Sequence, residues 1–230
     1  MSIGTLNEGP LHAALKATYV ANGGDAEVPI DGFVADAVRE GVIYEIQTGS
    51  FSGLGRKLST LVERGPVVLV HPIAQTSYIV KLDDTGELLP RRKSPKHGAL
   101  ISILNELVYI PKLLNHPHFS IEVVLTEEED IRRFDPKKNR RRGGWRVMER
   151  RLLKVVDGIH LESAEDLLGF LVRELDEPFT TRDLAEALDQ PVAMARKMAY
   201  CLKHTQVADV IGKQGNTLLY ALNPRVATVK

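Results

Sequence analysis

The stretch Asp36-Ala-Val-Arg-Glu-Gly-Val-Ile-Tyr-Glu-Ile-Gln47 organises this chain and carries its candidate chemistry. Val42 to Gln47 is rich in β-branched and aromatic residues and follows a Glu40-Gly41 turn, so it predicts a buried strand. The segment before the turn, Phe33 to Val38, is expected to pair with this strand as a hairpin. The two segments together form the predicted centre of an α/β domain.

The hairpin is expected to bring two carboxylates together. Side chains two apart share a strand face, so Glu45 and Gln47 lie on one side and Ile46 on the other. Asp36 returns beside Glu45, and with the Ile46 carbonyl these groups form a hard oxygen site for Mg²⁺ or Mn²⁺. Asp31 is a rival for the first acidic position. The plainer alternative makes Asp36 a turn residue and Glu45 a surface residue of an ordinary α/β domain.

An Asp, eight residues and then Glu-x-Gln on a strand resemble the PD-(D/E)xK nuclease superfamily over roughly residues 5 to 80. The surrounding elements match as well. A helix is predicted over Leu6 to Ala21, a second over Gly49 to Val62, and a buried strand over Val67 to His71. The resemblance implies a restriction-endonuclease-like mixed central sheet flanked by helices.

The resemblance also implies metal-dependent hydrolysis of phosphodiesters, with Asp36 and Glu45 holding the ion. Glu8 matches an acidic residue that many of these nucleases carry on the first helix. Gln47 stands where most members have Lys, and it can hydrogen-bond a water without supplying charge. Some restriction endonucleases with Gln at this position still cut, and Lys57 is the neighbouring cation expected to compensate.

Composition narrows the class of protein. The chain has 230 residues and a formal net charge of +0. Its single cysteine, Cys201, excludes an internal disulfide. Cys201 lies in an apolar helical pattern, so we expect it to be a buried core residue. No apolar tract is long enough to span a membrane, and no signal-peptide pattern opens the chain. We therefore expect a soluble cytoplasmic protein with no membrane partner. His12, alone on the first helix, is expected to be structural.

A basic block runs from Arg132 to Lys154 and includes Arg140, Arg141 and Arg142. One interpretation is a solvated linker, because like charges repel and keep a segment extended. The other is contact with DNA phosphates, where each neutralised phosphate releases counterions. Phosphate contact by the three consecutive arginines is favoured, because the predicted domains on both sides of the block point to nucleic acid.

Between and beyond these regions, periodicity predicts further elements. We expect a helix over Leu100 to Leu114, a strand over Phe119 to Thr126 and a helix start at Glu127 to Asp130. Past the basic block, Trp145 to Val156 predicts a strand. Ser163 to Leu175 predicts a helix with Ser163 as its N-cap.

The C-terminal part resembles a winged helix-turn-helix domain. A short helix is predicted over Arg182 to Leu188 and another from Val192 to about His204, followed by a hairpin of Val207 to Ile211 with Thr217 to Leu222. Three helices and a hairpin are the elements of that fold. This domain is expected to position the chain on DNA.

The outer face of the last helix carries the predicted DNA contacts. Arg196, Lys197, Tyr200 and Lys203 project from the side opposite the apolar positions, as a helix entering a major groove requires. Lys213 at the hairpin tip would contact the adjacent backbone. The alternative is that this domain is a protein-interaction adaptor.

The sequence therefore predicts a metal-dependent DNA endonuclease acting on branched or otherwise structured DNA, with a homodimer possible. Its predicted divisions are a nuclease-like domain over 1–135, a basic linker and strand over 136–160, and a winged helix over 161–230. The competing hypothesis is a non-catalytic DNA-binding regulator built on a decayed nuclease core. It is suggested by Gln47, which stands where most members of the superfamily have Lys.

Overall fold

The structure is a computed structural model that describes residues 8–21, 23–83, 85–135 and 144–224. The fold is α/β with a mixed multi-stranded sheet. The chain forms two compact units, one from Met1–Gly49, Val68–Leu100 and Glu122–Ile159 and the other from Ser50–Val67, Ile101–Ile121 and His160–Lys230. Each unit is discontinuous in sequence, whereas the sequence predicted three consecutive stretches.

Within the described part of the chain, the main sheet contains seven strands. They are β1 (Asp25–Ile30), β2 (Phe33–Arg39), β3 (Val42–Ile46), β4 (Val67–Lys81), β5 (Arg92–Lys93), β6 (Phe119–Phe134) and β7 (Trp145–Leu161). Their order is β1-β2-β3-β4-β6-β7, and β5 pairs with β4. The predicted hairpin of β2 with β3 is confirmed, and both strands lie inside the sheet rather than at its edge.

Helix α1 (Pro10–Val20) packs its apolar side on the first unit's sheet. Leu11 and Leu15, one turn apart, are 2% and 1% exposed and contact a cluster that includes Tyr44 and Ile46. Gly24 follows the helix closely, because a Cβ there would come within 2.8 Å of the Tyr19 carbonyl oxygen. The sequence therefore ends α1 where the chain must turn tightly into β1.

Two short turns join the first three strands. Asp31 and Gly32 have φ of 46° and 80°, and Glu40 and Gly41 have φ of 52° and 80°. Two consecutive positive φ values are typical of the two-residue hairpin turns that match the right-handed twist of strands. The predicted Glu40-Gly41 turn is confirmed, and Asp31 lies in a turn.

The second unit contains four α-helices and a separate hairpin among its described residues. They are α2 (Gly55–Leu61), α3 (Leu104–Leu107), α4 (Thr181–Leu188), α5 (Val192–His204), β8 (Ala208–Gln214) and β9 (Thr217–Leu222). The predicted α4, α5 and hairpin are confirmed as elements. Cys201 is buried on α5, as predicted.

A capping box fixes the start of α4. The Thr180 side chain accepts hydrogen bonds from the amides of Arg182 and Asp183, and the Asp183 carboxylate accepts one from the Thr180 amide. Phe179, one residue earlier, pairs with Tyr220 of β9, and their rings stack at 5.8 Å. The entry to α4 is thereby joined to the hairpin.

Two predicted helices are broken in the structure. Leu100–Leu114 was predicted as one helix, but it forms a 3-10 turn over Leu100–Ile103, the short α3, and another 3-10 turn over Pro111–Asn115. Pro111 cannot donate the backbone hydrogen bond that continuation requires. Ser163–Leu175 likewise gives only a 3-10 helix over Glu165–Phe170.

The predicted helix start at Glu127 to Asp130 is wrong, because these residues lie inside β6. Thr126 and Glu128, two apart on one strand face, are 0% and 2% exposed, and the Thr126 hydroxyl donates to Glu128 Oε1 at 2.6 Å. Burial raises the pKa of the Glu128 carboxyl. Pairing within the sheet therefore outweighs the local preference of an acidic run.

Among the described residues, none of the helices has the length and apolar character needed to cross a membrane.

The core position of Leu15 gives a stability prediction. Leu15→Ala should lower the free energy of unfolding by about 2–5 kcal/mol, because it leaves a cavity between α1 and the sheet. Leu88→Ala is the control, since Leu88 is 59% exposed and should change stability by less than about 0.5 kcal/mol. Urea unfolding measures both, and equal effects would contradict the packing of α1.

Candidate functional site

A polar pocket of about 340 Å³ opens in the first unit between α1 and the strands beside it. Its lining is dominated by charged and polar side chains. These are Glu8, His12, Lys16, Glu27, Asp36 and Thr48. Three carboxylates line the pocket together with one lysine and one histidine, so charged groups are concentrated there.

One side of α1, together with Glu8 two residues before it, supplies three of these five charged or titratable side chains. Glu8, His12 and Lys16 recur every four residues, which places them in a row along one helix face. His12 Nδ1 lies 2.7 Å from Glu8 Oε1, and Lys16 Nζ lies 2.8 Å from the same oxygen. Lys16 Nζ also lies 3.3 Å from Glu27 Oε1. The row is thus neutralised partly by its own members.

Asp36 enters the pocket from β2 at the place where the strands separate. The pairing of β2 with β3 runs from Arg39–Val42 to Ala37–Tyr44. The Asp36 carboxylate then accepts a hydrogen bond from the Ile46 amide at 2.8 Å, and His12 Nε2 lies 3.3 Å from the same oxygen, Oδ2. Asp36 therefore ties β3 to α1.

His12 lies between the carboxylates of Glu8 and Asp36, and its pKa reflects this position. The hydrogen bond with Asp36 is the main reason that the pKa of His12 is raised, and Glu8 adds to it against the opposing effect of burial. Burial alone would raise the pKa of Glu8, but Lys16 and His12 together hold it below its ordinary value. The arrangement favours the charged forms of the histidine and of Glu8.

Some of the predicted catalytic residues line the pocket, and others lie on the strand next to it. Asp36 and Glu8 share the pocket through His12. Glu45 is buried at 6% exposure on β3, and continuing the strand register by one residue sets it opposite Asp36. The Gln47 main chain is held by β4, because its amide donates to the Val70 carbonyl and its carbonyl accepts from His71 Nδ1.

Two predicted contributions differ from the expectation. Lys57 lies on α2 in the second unit, and the described lining of the pocket instead contains Lys16 as its lysine. At Ile46 the group that meets Asp36 is the amide, a donor, whereas the prediction concerned the carbonyl. Asp31, the rival acid, lies in the exposed β1–β2 turn.

The donor chemistry fits a divalent cation in part. Within the described ranges, no group of three His, Cys, Asp or Glu residues is arranged to hold a metal. Mg²⁺ does not require such a group, because it commonly binds one or two carboxylates and keeps waters or substrate phosphates as its other ligands. Asp36 and Glu45, with the Ile46 carbonyl, satisfy that smaller requirement by ligand type.

Sequence reasoning missed His12, Lys16 and Glu27 as members of the site. The four-residue spacing from Glu8 through His12 to Lys16 was a usable signal, since it marks one face of a helix. Glu27 gave no local signal. It has φ of 54° in β1, and only the packing of β1 beside α1 brings it to Lys16.

The predicted DNA-binding residues fall into three groups. Arg140, Arg141 and Arg142 lie outside the described residues. Arg196, Tyr200, Lys203 and Lys213 are exposed, as the prediction requires. Lys197 is half-buried and its ammonium donates to Asn105 within the second unit, so it is occupied by a structural contact.

A second polar groove, of about 610 Å³, lies in the second unit beside the starts of α4 and α5 and the β8–β9 hairpin. Arg182 and Arg196 supply its positive charge, and Thr181, Asn216 and Thr217 supply hydrogen-bonding groups. Sequence reasoning placed Arg196 on an outer helix face. The groove adds Arg182 as a neighbouring exposed cation that was not predicted.

Comparisons with other proteins identify a family and a relative that is similar over almost the whole chain. A family model described as "Domain of unknown function (DUF8091)" matches residues 9–162. An uncharacterized protein of Treponema pallidum (strain Nichols) is 32% identical over 225 residues, which cover 97% of this chain and 89% of that protein. No solved structure matches.

The position of His12 predicts a pH-dependent contribution to stability. Because its pKa is raised from 6.5 in the folded protein, the pairing of His12 with Asp36 and Glu8 stabilises fully below about pH 6.5 and is lost as pH rises through the raised value. His12→Gln should therefore destabilise most between about pH 5 and 6.5, where the carboxylates stay charged.

Urea unfolding of the native protein and of His12→Gln at a series of pH values measures this difference. His160→Gln is the matched control, because His160 is exposed on β7. A difference for His12→Gln that grows as pH rises above neutrality would contradict the assigned pairing.

Proposed function

The chain belongs to the DUF8091 family, and we propose that it is a metal-dependent DNA endonuclease with a restriction-endonuclease-like core and a C-terminal winged helix. Its proposed substrate is branched or otherwise structured DNA. The proposal concerns the pocket of the first unit as the cutting site and the second unit's α5 and hairpin as the part that positions DNA.

The observation that carries the proposal is the setting of Asp36. Its carboxylate is held by the Ile46 amide at the point where β2 and β3 separate, next to the pocket that also contains Glu8. A buried acid on the adjacent strand, Glu45, stands opposite in the continued register. A charged carboxyl inside an apolar sheet is costly, which favours a chemical role over a structural one.

The order of elements supports the same proposal. A helix, three antiparallel strands, a second helix and a further strand follow one another from α1 to β4. This is the order that the sequence resemblance implies for the core of the PD-(D/E)xK nucleases. Element order supports the fold proposal only, because one fold hosts many functions.

The chemistry follows from what each side chain does. Asp36 and Glu45, with the Ile46 carbonyl, would hold Mg²⁺ or Mn²⁺. Such an ion would stabilise the negative charge of the phosphoryl oxygens and lower the pKa of an attacking water. The hydrogen bond from the Ile46 amide holds the Asp36 carboxylate in place without substrate. Such preorganisation favours catalysis, because the group need not reorient during the reaction. Lys16, whose side chain is 13% exposed and pairs with Glu8, would supply positive charge to this pocket, whereas the Gln47 side chain carries none.

DNA contact in the second unit is supported by its exposed cations. Arg196 and Lys203 lie on α5, Lys213 lies on β8 beside the hairpin turn, and Arg182 joins Arg196 at the polar groove. Exposed cations on a helix and a neighbouring hairpin suit phosphate contact by a winged helix. Lys197 is left out of this set, because it is hydrogen-bonded to Asn105.

The competing proposal is a non-catalytic DNA-binding regulator. Its supporting observation is that Lys16 and His12 already supply positive charge to Glu8 and Asp36. A site whose acids are neutralised by side chains has less need of a metal, and Gln47 adds no charge. The two proposals differ in whether metal produces cleavage.

A cleavage assay separates them. With Mg²⁺ or Mn²⁺, the native chain should cut labelled duplex, single-stranded, forked or four-way-junction DNA. Asp36→Asn and Glu45→Gln should each lower the cleavage rate by about a hundredfold or more, because a metal ligand contributes several kcal/mol to charge stabilisation.

The exposed carboxyls of Asp209 and Glu87 give matched controls, Asp209→Asn and Glu87→Gln, which should cut like the native chain. Binding without cleavage on every substrate favours the regulator. Cleavage that survives both Asp36→Asn and Glu45→Gln would exclude this pocket as the cutting site.

The DNA-binding surface has its own test. Arg196→Ala combined with Lys203→Ala should weaken binding to DNA in EDTA and flatten the dependence of affinity on salt by about 0.9 for each duplex phosphate that is no longer neutralised. Arg173→Ala is the control, since Arg173 is exposed and lies 3.8 Å from Asp189. Unchanged affinity and slope would favour a protein-interaction adaptor instead.

A further inference from the structure

The polar groove of the second unit has in its wall a tyrosine whose hydroxyl is not used by the protein. Tyr220 on β9 is 7% exposed and lines the groove. Its hydroxyl makes no hydrogen bond to the described residues, and it is not one of the fully buried polar atoms without a partner. A tyrosine buried to this degree usually finds a partner for its hydroxyl. The hydroxyl is therefore available to a ligand that enters the groove.

The Tyr220 ring is held in a fixed position. Phe179 and Tyr220 exchange two main-chain hydrogen bonds, of 2.9 and 2.8 Å. Their rings stack with centroids 5.8 Å apart and an angle of 19° between the ring planes. Phe179 is 0% exposed, so the stacked pair belongs to the core of this unit. The wall that carries the hydroxyl is thus formed before any ligand binds.

Two arginines give the groove its positive charge. Arg182 lies in the first turn of α4 and Arg196 in the second turn of α5, and both are exposed. Neither forms a salt bridge within the described part of the chain. The acid that lines the groove, Asp183, is already engaged, because its Oδ2 accepts hydrogen bonds from the Thr180 amide and hydroxyl at 2.8 and 2.9 Å. An anionic ligand would therefore meet two cations that no carboxylate has paired.

The number of cations indicates the class of anion. A guanidinium binds phosphate through a planar fork of N–H donors. A phosphomonoester has a charge of about −2 near neutral pH and three acceptor oxygens, which two arginines match. A carboxylate carries one charge, and so does each internal phosphate of a DNA strand, so one arginine suffices for either. The pair of arginines therefore favours a phosphomonoester.

The rest of the groove suits the organic part of such a ligand. Its volume of about 610 Å³ lies in the range of small-molecule sites. Apolar side chains and side-chain amides complete the lining. They are Val192 and Leu218, and Gln214 and Asn216. A nucleoside has both an apolar ring face and polar edges, so it can use both kinds of contact.

We propose that the polar groove of the second unit binds a nucleoside phosphomonoester. Arg182 and Arg196 bind the phosphate, and the Tyr220 hydroxyl donates a further hydrogen bond to the ligand. This chemical group occurs as a free mononucleotide and as the terminal nucleotide of a 5′-phosphorylated DNA strand. In the second case the inference rests on the proposed DNA binding and names the part of the DNA that is bound. In neither case does it depend on cleavage by the first unit.

Calorimetry with a mononucleotide tests the site directly. In EDTA the native chain should bind dAMP and should not bind deoxyadenosine, because only dAMP carries the phosphate. Arg182→Gln and Arg196→Gln should each weaken dAMP binding by about tenfold or more, since each removes hydrogen bonds to a charged group. Tyr220→Phe removes only the hydroxyl and should weaken dAMP binding by about threefold.

Oligonucleotides identify the source of the phosphomonoester. If it is a DNA end, 3′-labelled strands with a 5′-phosphate should bind about tenfold or more tightly than their 5′-hydroxyl counterparts, as measured by fluorescence anisotropy in EDTA. If it is a free mononucleotide, dAMP binds and the two forms of the strand bind alike. The ratio of the two affinities is compared, because Arg182 and Arg196 also belong to the proposed DNA surface. Arg182→Gln should bring a raised ratio to about one.

Controls separate binding from loss of structure. Arg173→Gln changes an exposed arginine of the same unit that does not line the groove, so dAMP binding and the ratio should stay as in the native chain. Tyr220→Phe should unfold in urea like the native chain, because its ring can still stack on Phe179. If an arginine variant does not fold, the comparison of dAMP with deoxyadenosine on the native chain decides.

Two outcomes would overturn the proposal. One is that dAMP binds no better than deoxyadenosine while the 5′-phosphate changes no oligonucleotide affinity. The other is a phosphate preference that survives both Arg182→Gln and Arg196→Gln. The endonuclease proposal is judged separately by cleavage with Mg²⁺ and by Asp36→Asn. A chain that selects the phosphomonoester but cuts no DNA keeps this inference and loses that proposal, and the converse result does the opposite.

Discussion

The hydrogen bond from the Ile46 amide to the Asp36 carboxylate is the constraint on which the candidate site depends. It replaces main-chain pairing at the point where β2 and β3 separate, so the carboxylate is positioned by the sheet itself. His12 then joins that carboxylate to α1. One acid thereby links two strands and a helix beside the pocket.

The negative charge of the carboxylates in the pocket is balanced by His12 and Lys16, which lie in a row with Glu8 along one side of α1. This balance explains how several carboxylates remain close together in a folded chain, since each has a cation or donor nearby. It also defines the central functional alternative. Either these cations assist chemistry at Asp36, or they stand in permanently for the charge that a metal would bring.

The elements that local patterns predicted correctly are those whose patterns agree with their tertiary setting. The hairpin turn at Glu40-Gly41 needs positive φ, and α5 has one apolar face and one polar face. The acidic run at Glu127 to Asp130 was misassigned because helix-terminus preference is local, whereas β6 is set by its neighbours. Leu100–Leu114 was misassigned because apolar periodicity concealed the effect of Pro111.

The sequence by itself determined the hairpin of β2 with β3, the placement of Asp36 on its first strand, and the amphipathic α5, because each follows from spacing within a short segment. Only the tertiary structure decided that His12, Lys16 and Glu27 join Asp36, and that Lys197 is hydrogen-bonded to Asn105. Those contacts join segments far apart in the chain. Their geometry is set by how α1 packs on the sheet and how α5 packs in its own unit, which no local pattern contains.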